Sequence, residues 1–278
     1  MLLAIDVGNT NTVIGLYDLA GDRRVASWRV ATRADRMPDE WFALLAPLFA
    51  AEGREPAAVG AVVVSSGVPS VTLWLGQMVR KRFGVEPLFV TIDLELGFRV
   101  LTDNPREVGA DRLANTAAAF ARYGGPAIVV DFGTATNFDV ISAEGDFIGG
   151  AIAPGLAISA EALAGRAAQL FTVALAMPTK AIGTNTVTNM QAGLALGYLG
   201  LLEGMITRIR RELGVEAPVI VTGGQGELFA HASPLITHYD PDLTLDGLHL
   251  IYRRVTGGTK RPPFPLDPGI PSPSPRSG

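Results

Sequence analysis

Two segments of the sequence combine an aspartate, a glycine and short polar side chains between apolar runs. They are Asp6-Val7-Gly8-Asn9-Thr10-Asn11-Thr12-Val13 and Asp131-Phe132-Gly133-Thr134-Ala135-Thr136. Glycine lets a backbone approach an anion, successive N–H groups in a turn form an anion-binding nest, and Thr or Asn adds donors. Each segment is therefore predicted to be a strand, a phosphate-binding loop and a second strand.

The aspartates of these loops predict bound cations. A hairpin whose Asp and Gly serve only the turn would have the same residues, but recurrence at matching places in the two halves favours phosphate binding. A carboxylate beside a phosphate would repel it, so Asp6 and Asp131 imply cations between protein and nucleotide. Magnesium near Asp6, held directly or through water, is the expectation.

Two further segments are candidates for binding. Gly109-Ala110-Asp111-Arg112 places a carboxylate beside a guanidinium at a predicted helix start, although an acid in a first helical turn with a surface Arg is the ordinary alternative. Thr222-Gly223-Gly224 follows a predicted strand and lacks an acid. This turn could hold adenine and ribose, or it could simply join a strand to a helix.

Composition excludes several functional classes. The chain has 278 residues, 48% of them hydrophobic, which allows two domains. Its net charge of −4 argues against a nucleic-acid partner, and the absence of cysteine excludes disulfides and thiolate sites. No signal peptide and no apolar run long enough for a membrane are expected, which predicts a cytoplasmic protein with no membrane partner. The sequence has neither a Walker motif nor a Gly-x-Gly-x-x-Gly segment after a strand.

The pattern of elements predicts a duplicated fold. Each half begins with a strand meander and continues with helices, so we expect an α/β domain at 1–123, a second at 124–256, and a disordered Pro/Ser-rich tail at 257–278. The predicted helices include 38–51, 70–83, 156–168 and 184–213, and the predicted strands include 61–65, 88–92 and 219–221. This plan, with a central nucleotide cleft, resembles the duplicated ribonuclease H-like fold of the sugar kinases and actin-like ATPases.

The motifs taken together resemble the type III pantothenate kinases, over nearly the whole chain to about residue 255. Their order and spacing carry the resemblance, and the motifs are Asp6-Val7-Gly8-Asn9-Thr10, Asn104-Pro105-Arg106-Glu107-Val108-Gly109-Ala110-Asp111-Arg112, Asp131-Phe132-Gly133-Thr134-Ala135-Thr136, Gly149-Gly150-Ala151-Ile152-Ala153-Pro154-Gly155, Ile182-Gly183-Thr184-Asn185-Thr186, Thr222-Gly223-Gly224 and Leu243-Thr244-Leu245-Asp246-Gly247-Leu248. The resemblance implies ATP-dependent phosphorylation of pantothenate, the first step of coenzyme A synthesis. It also implies magnesium, a monovalent cation (potassium or ammonium), and a homodimer with a shared substrate pocket.

The resemblance also implies residue roles. The segment Asp6 to Val13 and Thr134 would bind ATP phosphates, Gly223 and Gly224 the adenosine, and Asp131 potassium. Pantothenate would contact Gly109, Ala110, Asp111, Arg112 and Thr186, with Asp111 as general base. Thr102 stands where the family usually has Tyr, so the wall along the acyl chain differs here.

Two other functions fit the same fold. One is a kinase for another small molecule, and the other is a non-catalytic accessory factor for transcription. Three aspartates (Asp6, Asp111 and Asp131) beside ATP favour catalysis, because a mere binder gains nothing from them. Small residues in the long helix, at Gly193, Gly197, Gly200 and Gly204, indicate close packing against another backbone, since each glycine costs about 1 kcal/mol relative to alanine.

Overall fold

The computed structural model describes residues 1–257. The tail predicted at 257–278 lies outside the described residues, apart from Gly257, which ends the last helix. Both halves of the described chain contain a five-stranded sheet flanked by helices.

The first sheet has the strand order β3-β2-β1-β4-β5. Its strands are β1 (Leu2–Val7), β2 (Asn11–Asp18), β3 (Arg23–Ala31), β4 (Ala61–Ser66) and β5 (Leu88–Phe89). The helices of this half are α1 (Pro38–Ala51), α2 (Pro69–Phe83) and α3 (Ala110–Tyr123), with 3-10 turns at Pro56–Ala58 and Pro105–Glu107. Strands β1, β2 and β3 are antiparallel, whereas β4 runs parallel to β1.

The second sheet repeats this arrangement as β8-β7-β6-β9-β10. Its strands are β6 (Ala127–Phe132), β7 (Ala135–Ile141), β8 (Phe147–Pro154), β9 (Val219–Gly223) and β10 (His238–Tyr239). The helices are α4 (Leu156–Arg166), α5 (Thr186–Gln191), α6 (Gly197–Leu213), α7 (Gly226–Phe229) and α8 (Leu243–Gly257). Strand β9 is again parallel to the first strand of its meander. The repeated order confirms the predicted duplicated fold.

Helices α3 and α8 form a layer between the two sheets. On β1, Leu2 and Ala4 share a buried cluster with Leu113 of α3 and Leu248 of α8, while Leu3, Ile5 and Val7 face α1 and α2. On β6, Ala127 and Val129 pack with Ala118 and Ala119 of α3 and Leu243 of α8. Because alternate residues of a strand point to opposite faces, Asp6 and Asp131 are on the faces that meet this layer.

The last helix packs against the first half as well as against the half that the sequence division gives it. The division at residue 123 stays a prediction, but α8 contributes Leu245, Leu248 and Ile251 to the cluster that contains Leu2 and Ala4 of the first sheet. The chain therefore returns to the first half at its end.

Several predicted boundaries move in the structure. Strand β5 is limited to Leu88–Phe89, and α4 ends at Arg166. The long helix begins at Thr186, and a π-helical segment at Ala192–Leu196 separates α5 from α6.

The sequence-based expectation of no membrane-length helix needs a correction. The helical stretch Thr186–Leu213 is long and apolar enough to cross a membrane by length and composition, with 33% of its most apolar window buried in the protein. Tyr198, Leu202 and Ile206 pack in the core of the second half beside β6 and β9. Core packing therefore accounts for part of this apolar composition.

The contact between α3 and α8 depends on Gly247. A Cβ at this buried glycine would lie 2.0 Å from the carbonyl oxygen of Ala114, which is far inside van der Waals contact. The atom that it would meet is helix backbone, so it cannot rotate away. The two central helices must separate to admit any side chain here.

We therefore predict that Gly247→Ala lowers the free energy of unfolding by at least about 2 kcal/mol, through overpacking of the central layer. Gly165→Ala in α4 is the matched control, because a Cβ there meets nothing within 4 Å, and we expect a change within about 1 kcal/mol. Urea denaturation measures both. Equal stability of the two variants would contradict the packing argument.

Candidate active site

The two predicted phosphate loops touch each other. The Thr10 and Thr134 hydroxyl groups are 3.0 Å apart, although 124 positions separate them in the sequence. Each loop closes with a similar backbone bond, from Gly8 N to Asn11 O and from Gly133 N to Ala135 O, both 3.0 Å. The duplicated loops thus form one continuous polar edge at the carboxyl ends of β1 and β6.

Residues outside the loops hold this edge in place. Thr32 donates from its hydroxyl to Gly8 O (2.8 Å) and from its backbone N to Thr10 O (2.9 Å). In the second half, the hydroxyl of Tyr198 lies 2.5 Å from that of Thr136 and donates to Pro154 O at 2.9 Å. Sequence reasoning missed Thr32 and Tyr198. The only signal for Thr32 is a hydroxyl group directly after β3, and the only signal for Tyr198 is a hydroxyl group within an apolar helix.

Asp6 and Asp131 are held in an environment that disfavours their charged forms. Burial, the charge of Asp111 and the charge of Asp131 raise the pKa of Asp6 to about 7, against a hydrogen bond from Ser65 and the field of Arg29. Burial and then Asp111 raise the pKa of Asp131 to about 6, against a hydrogen bond from Asn115. The three predicted aspartates therefore lie within electrostatic reach of one another.

Asp111 lies in the first turn of α3, as the sequence predicts. Its Oδ1 accepts a hydrogen bond from Arg112 N at 2.9 Å. A Cβ at Gly109 would lie 2.4 Å from that oxygen, so glycine leaves space for the carboxylate to fold back over the helix start. This position also places the Asp111 side chain at the positive end of the helix dipole.

The guanidinium of Arg112 is fixed by an acid that the sequence analysis missed. Arg112 donates from Nε to Asp139 Oδ1 at 2.6 Å and stacks over the ring of Phe147 at 5.1 Å. Asp139 is completely buried, and in residues 1–257 its Oδ2 has no hydrogen-bond partner. Burial raises the pKa of Asp139 to about 7, with Arg112 opposing the shift. The available signal was an acid in the middle of β7, a strand with neighbours on both sides.

A second missed residue, Asn115, links Asp131 to α8. Its amide nitrogen donates to Asp131 Oδ2 at 3.0 Å, and its carbonyl oxygen accepts from Thr244 Oγ1 at 2.8 Å. Asn115 is fully buried, so both bonds are shielded from water. The position of Asp131 is thereby tied to both central helices.

The Thr222-Gly223-Gly224 turn lies against Asp131. Gly223 has φ of +86°, and a Cβ there would meet Asp131 Oδ1 at 2.5 Å and Phe132 N at 2.6 Å. Glycine is therefore required at Gly223 by conformation and by space. This places the predicted adenosine turn beside the second phosphate loop.

Two predicted pantothenate residues are not brought to this cluster by any described bond. Thr186 is exposed at the start of α5, and in the described chain no hydrogen bond connects it with residues 109–112. Thr102 follows Leu101, whose N donates to Phe147 O at 2.8 Å, and the Thr102 hydroxyl is buried without a partner within residues 1–257. The same range contains no group of three or more His, Cys, Asp or Glu residues arranged to hold a metal by themselves.

Comparison with known proteins identifies the family. The family profile described as type III pantothenate kinase matches residues 2–208. This chain belongs to the type III pantothenate kinase family. It is 51% identical to the type III pantothenate kinase of Roseiflexus castenholzii over 91% of this chain and 98% of the relative. The relative of the same name in Thermomicrobium roseum is 50% identical over 92% of this chain and 98% of the relative.

Solved structures support the same fold at low sequence identity. A putative Baf family transcriptional activator from Campylobacter jejuni aligns with a TM-score of 0.59 and 19% identity, covering 91% of this chain and 98% of that one. A putative 2-dehydro-3-deoxygalactonokinase from Sinorhizobium meliloti aligns with a TM-score of 0.52 and 16% identity, covering 92% of this chain and 97% of that one. The family therefore shares its architecture with other kinases of the duplicated fold.

The raised pKa of Asp6 predicts a pH-dependent loss of stability. The unfolded carboxyl ionises near pH 3.8 but the folded one near pH 7, so the folded state binds the extra proton between these values and stability falls as pH rises from about 4 to 7. Asp6→Asn should therefore be more stable than the wild type at pH 8, by about 1–3 kcal/mol. Urea denaturation at pH 5 and pH 8 without divalent cations measures the difference.

The exposed Asp35 offers a matched control. Asp35→Asn should retain the wild-type difference between the two pH values, whereas Asp6→Asn should reduce it. A wild-type pH profile in Asp6→Asn would contradict the assigned environment of Asp6.

Proposed function

We propose that the protein is a cytoplasmic pantothenate kinase that transfers the γ-phosphoryl group of ATP to the primary hydroxyl of pantothenate, forming 4'-phosphopantothenate for coenzyme A synthesis. Membership of the type III pantothenate kinase family supports the assignment of pantothenate as the substrate. The observation that carries the chemistry is the contact between Thr10 and Thr134, which joins two phosphate loops beside three aspartates. This geometry suits a polyphosphate lying across both loops.

In this proposal each loop binds one part of the nucleotide. Residues Asp6 to Val13 bind phosphate oxygens through backbone N–H groups and hydroxyls, and Thr134 contributes from the opposite side. Gly223 and Gly224 lie under the adenosine. The absence of a Walker lysine is consistent with phosphate binding by backbone, hydroxyl groups and cations.

The carboxylates fit hard cations. Asp6 and Asp131 supply oxygen ligands. Burial first, and then the charge of neighbouring aspartates, raises the pKa of both groups, and a bound cation would offset both effects. Within residues 1–257 too few acids gather to enclose a metal by themselves. Magnesium suits such a site, because it keeps water and phosphate oxygens as ligands. When bound, magnesium neutralises phosphate charge. Asp131, steadied by Asn115, would hold the monovalent cation, potassium or ammonium.

The protein groups around the acceptor hydroxyl supply orientation and charge. Asp111 accepts or orients the hydroxyl proton of pantothenate; because phosphoryl transfer has a loose transition state, this proton leaves late. Arg112 stabilises charge that spreads over the transferred group. Asp139 positions Arg112 by accepting a hydrogen bond from the Nε atom of Arg112, so the two terminal guanidinium nitrogens remain available for the transferred group.

The open face of the long helix supports a homodimer. A Cβ at Gly193, Gly197 or Gly200 would meet nothing within 4 Å, so these glycines do not pack closely inside one subunit. Nearby in the sequence, Ile182 is 85% exposed. We propose that a second copy covers this face and that Thr186 of the partner subunit completes the pantothenate pocket, whose acyl end Thr102 borders. Close helix contact across the interface would explain the small residues.

The direct test is purified protein with ATP, magnesium, potassium and pantothenate, assayed for phosphopantothenate. We predict that Asp111→Asn lowers kcat by about 10² to 10⁴ while ATP binding is retained. Asp35→Asn should keep full activity.

Replacing potassium with a bulky organic cation at equal ionic strength should abolish turnover. Product formation from a different small alcohol but not from pantothenate would show that the substrate assignment is wrong.

The shared pocket predicts complementation between inactive variants. Asp111→Asn and Thr186→Arg subunits are mixed after reversible dissociation. Random pairing makes half of the dimers mixed, and each mixed dimer has one intact site, so about a quarter of wild-type activity should return. Mass spectrometry of differently labelled subunits confirms mixing. No recovery in confirmed mixed dimers would mean that both residues serve the same subunit's site.

A further inference from the structure

Arg29 of β3 lies in the same row of the first sheet as Asp6. Arg29 pairs with Val13 of β2, and Val13 pairs with Asp6 of β1. Directly opposed residues on neighbouring strands place their side chains on one face. Trp28 and Val30, which flank Arg29 in β3, pack on the opposite face, against the buried side chains of α1 and α2. Arg29 therefore faces the cleft and not the outer helices.

The guanidinium of Arg29 reaches from the first sheet to the second. Its Nη1 is 2.7 Å from the position that a Cβ would occupy on Gly224. It lies near enough to the two loop aspartates for its field to lower the pKa of each. The side chain thus spans the cleft between the first phosphate loop and the predicted adenosine turn.

Arg29 is not engaged by the protein in the way that its neighbours are. Within residues 1–257, its side chain makes no hydrogen bond or ion pair. By contrast, Arg24 on the same strand pairs with Asp242, Arg112 with Asp139, and Arg122 with Asp240 and Asp246. An exposed guanidinium that faces a cleft with all its donors free is suited to an anionic ligand.

We propose that Arg29 binds the phosphate chain of the nucleotide and supplies the cation that a Walker lysine supplies elsewhere. The proposal rests on ATP as the ligand of this cleft. Lys81 pairs with Asp39 on the outer helices, and no lysine lies in either loop. A planar guanidinium can bridge two phosphate oxygens. Bound there, it would also connect the two sheets across the nucleotide.

The competing role is structural: Arg29 could only support the Gly224 turn or balance the aspartates. The two roles differ in how they depend on the ligand. Loss of a phosphate contact would weaken the binding of ATP and ADP but not of adenosine. Loss of a support for the turn would weaken the binding of all three ligands. Comparison of nucleotides therefore separates them.

The experiment measures the affinity of the full-length protein for ATP, ADP and adenosine by calorimetry, with magnesium and potassium and without pantothenate. Arg29→Gln should weaken ATP and ADP binding about 10- to 100-fold, as expected for lost charge-assisted hydrogen bonds, and change adenosine binding less than about 2-fold. Arg29→Lys, which keeps a point charge, should lie between. Arg23→Gln, at the turn end of β3, is the control and should bind all three ligands normally.

An equal loss for adenosine and ATP, or unchanged ATP binding in Arg29→Gln, would overturn the proposal. Thermal unfolding checks that Arg29→Gln is folded, and Arg29→Lys gives an independent comparison if it is not. A protein that binds ATP but does not phosphorylate pantothenate would refute the proposed substrate, and the nucleotide comparison would still decide the role of Arg29. Failure of the wild type to bind ATP would overturn both.

Discussion

The packing of α3 against α8 is the constraint on which the site depends. These helices separate the two sheets, and Gly247 allows the backbone of α8 to reach Ala114 of α3. Both central strands, β1 and β6, turn one face to this layer, so the aspartates at their ends converge. The contact between Thr10 and Thr134 is a consequence, because loops that follow converging strands must meet.

Convergence has an electrostatic cost that explains the rest of the site. Asp6, Asp131 and Asp139 all have pKa values raised by burial, and Asp111 adds repulsion to each of them. Arg112 offsets part of this charge through its bond to Asp139, and the field of Arg29 offsets part at the two loops. A fold that maintains such a cluster sacrifices stability, and in the proposed function the cations that bind with the nucleotide would offset this cost.

The sequence predicts local features of this site and misses those made across the fold. The loops and the Asp111 segment are contiguous, so residue type and spacing identify them. Asp139 and Asn115 act through partners on other strands and helices, and Arg29 reaches Gly224 from the other sheet. No local pattern marks these long-range contacts. The π-helical segment at 192–196 was also missed, since its apolar pattern continues that of the flanking helices. The repeated order of loop, strand meander and helices was enough to predict the duplicated fold.

Duplication supplies two similar frames, yet only one helix start carries the Asp-Arg pair. Helices α3 and α8 both follow the fifth strand of their half, and each has an acid in its first turn. In α8 this acid is Asp246, which accepts from Tyr17 at 2.6 Å and from Arg122 at 2.8 Å and so has a structural role. In α3 the acid is Asp111, which within residues 1–257 accepts only from Arg112 N. The pseudo-symmetry of the fold thus ends at this pair of carboxylates, and the one left free by the protein faces the cleft.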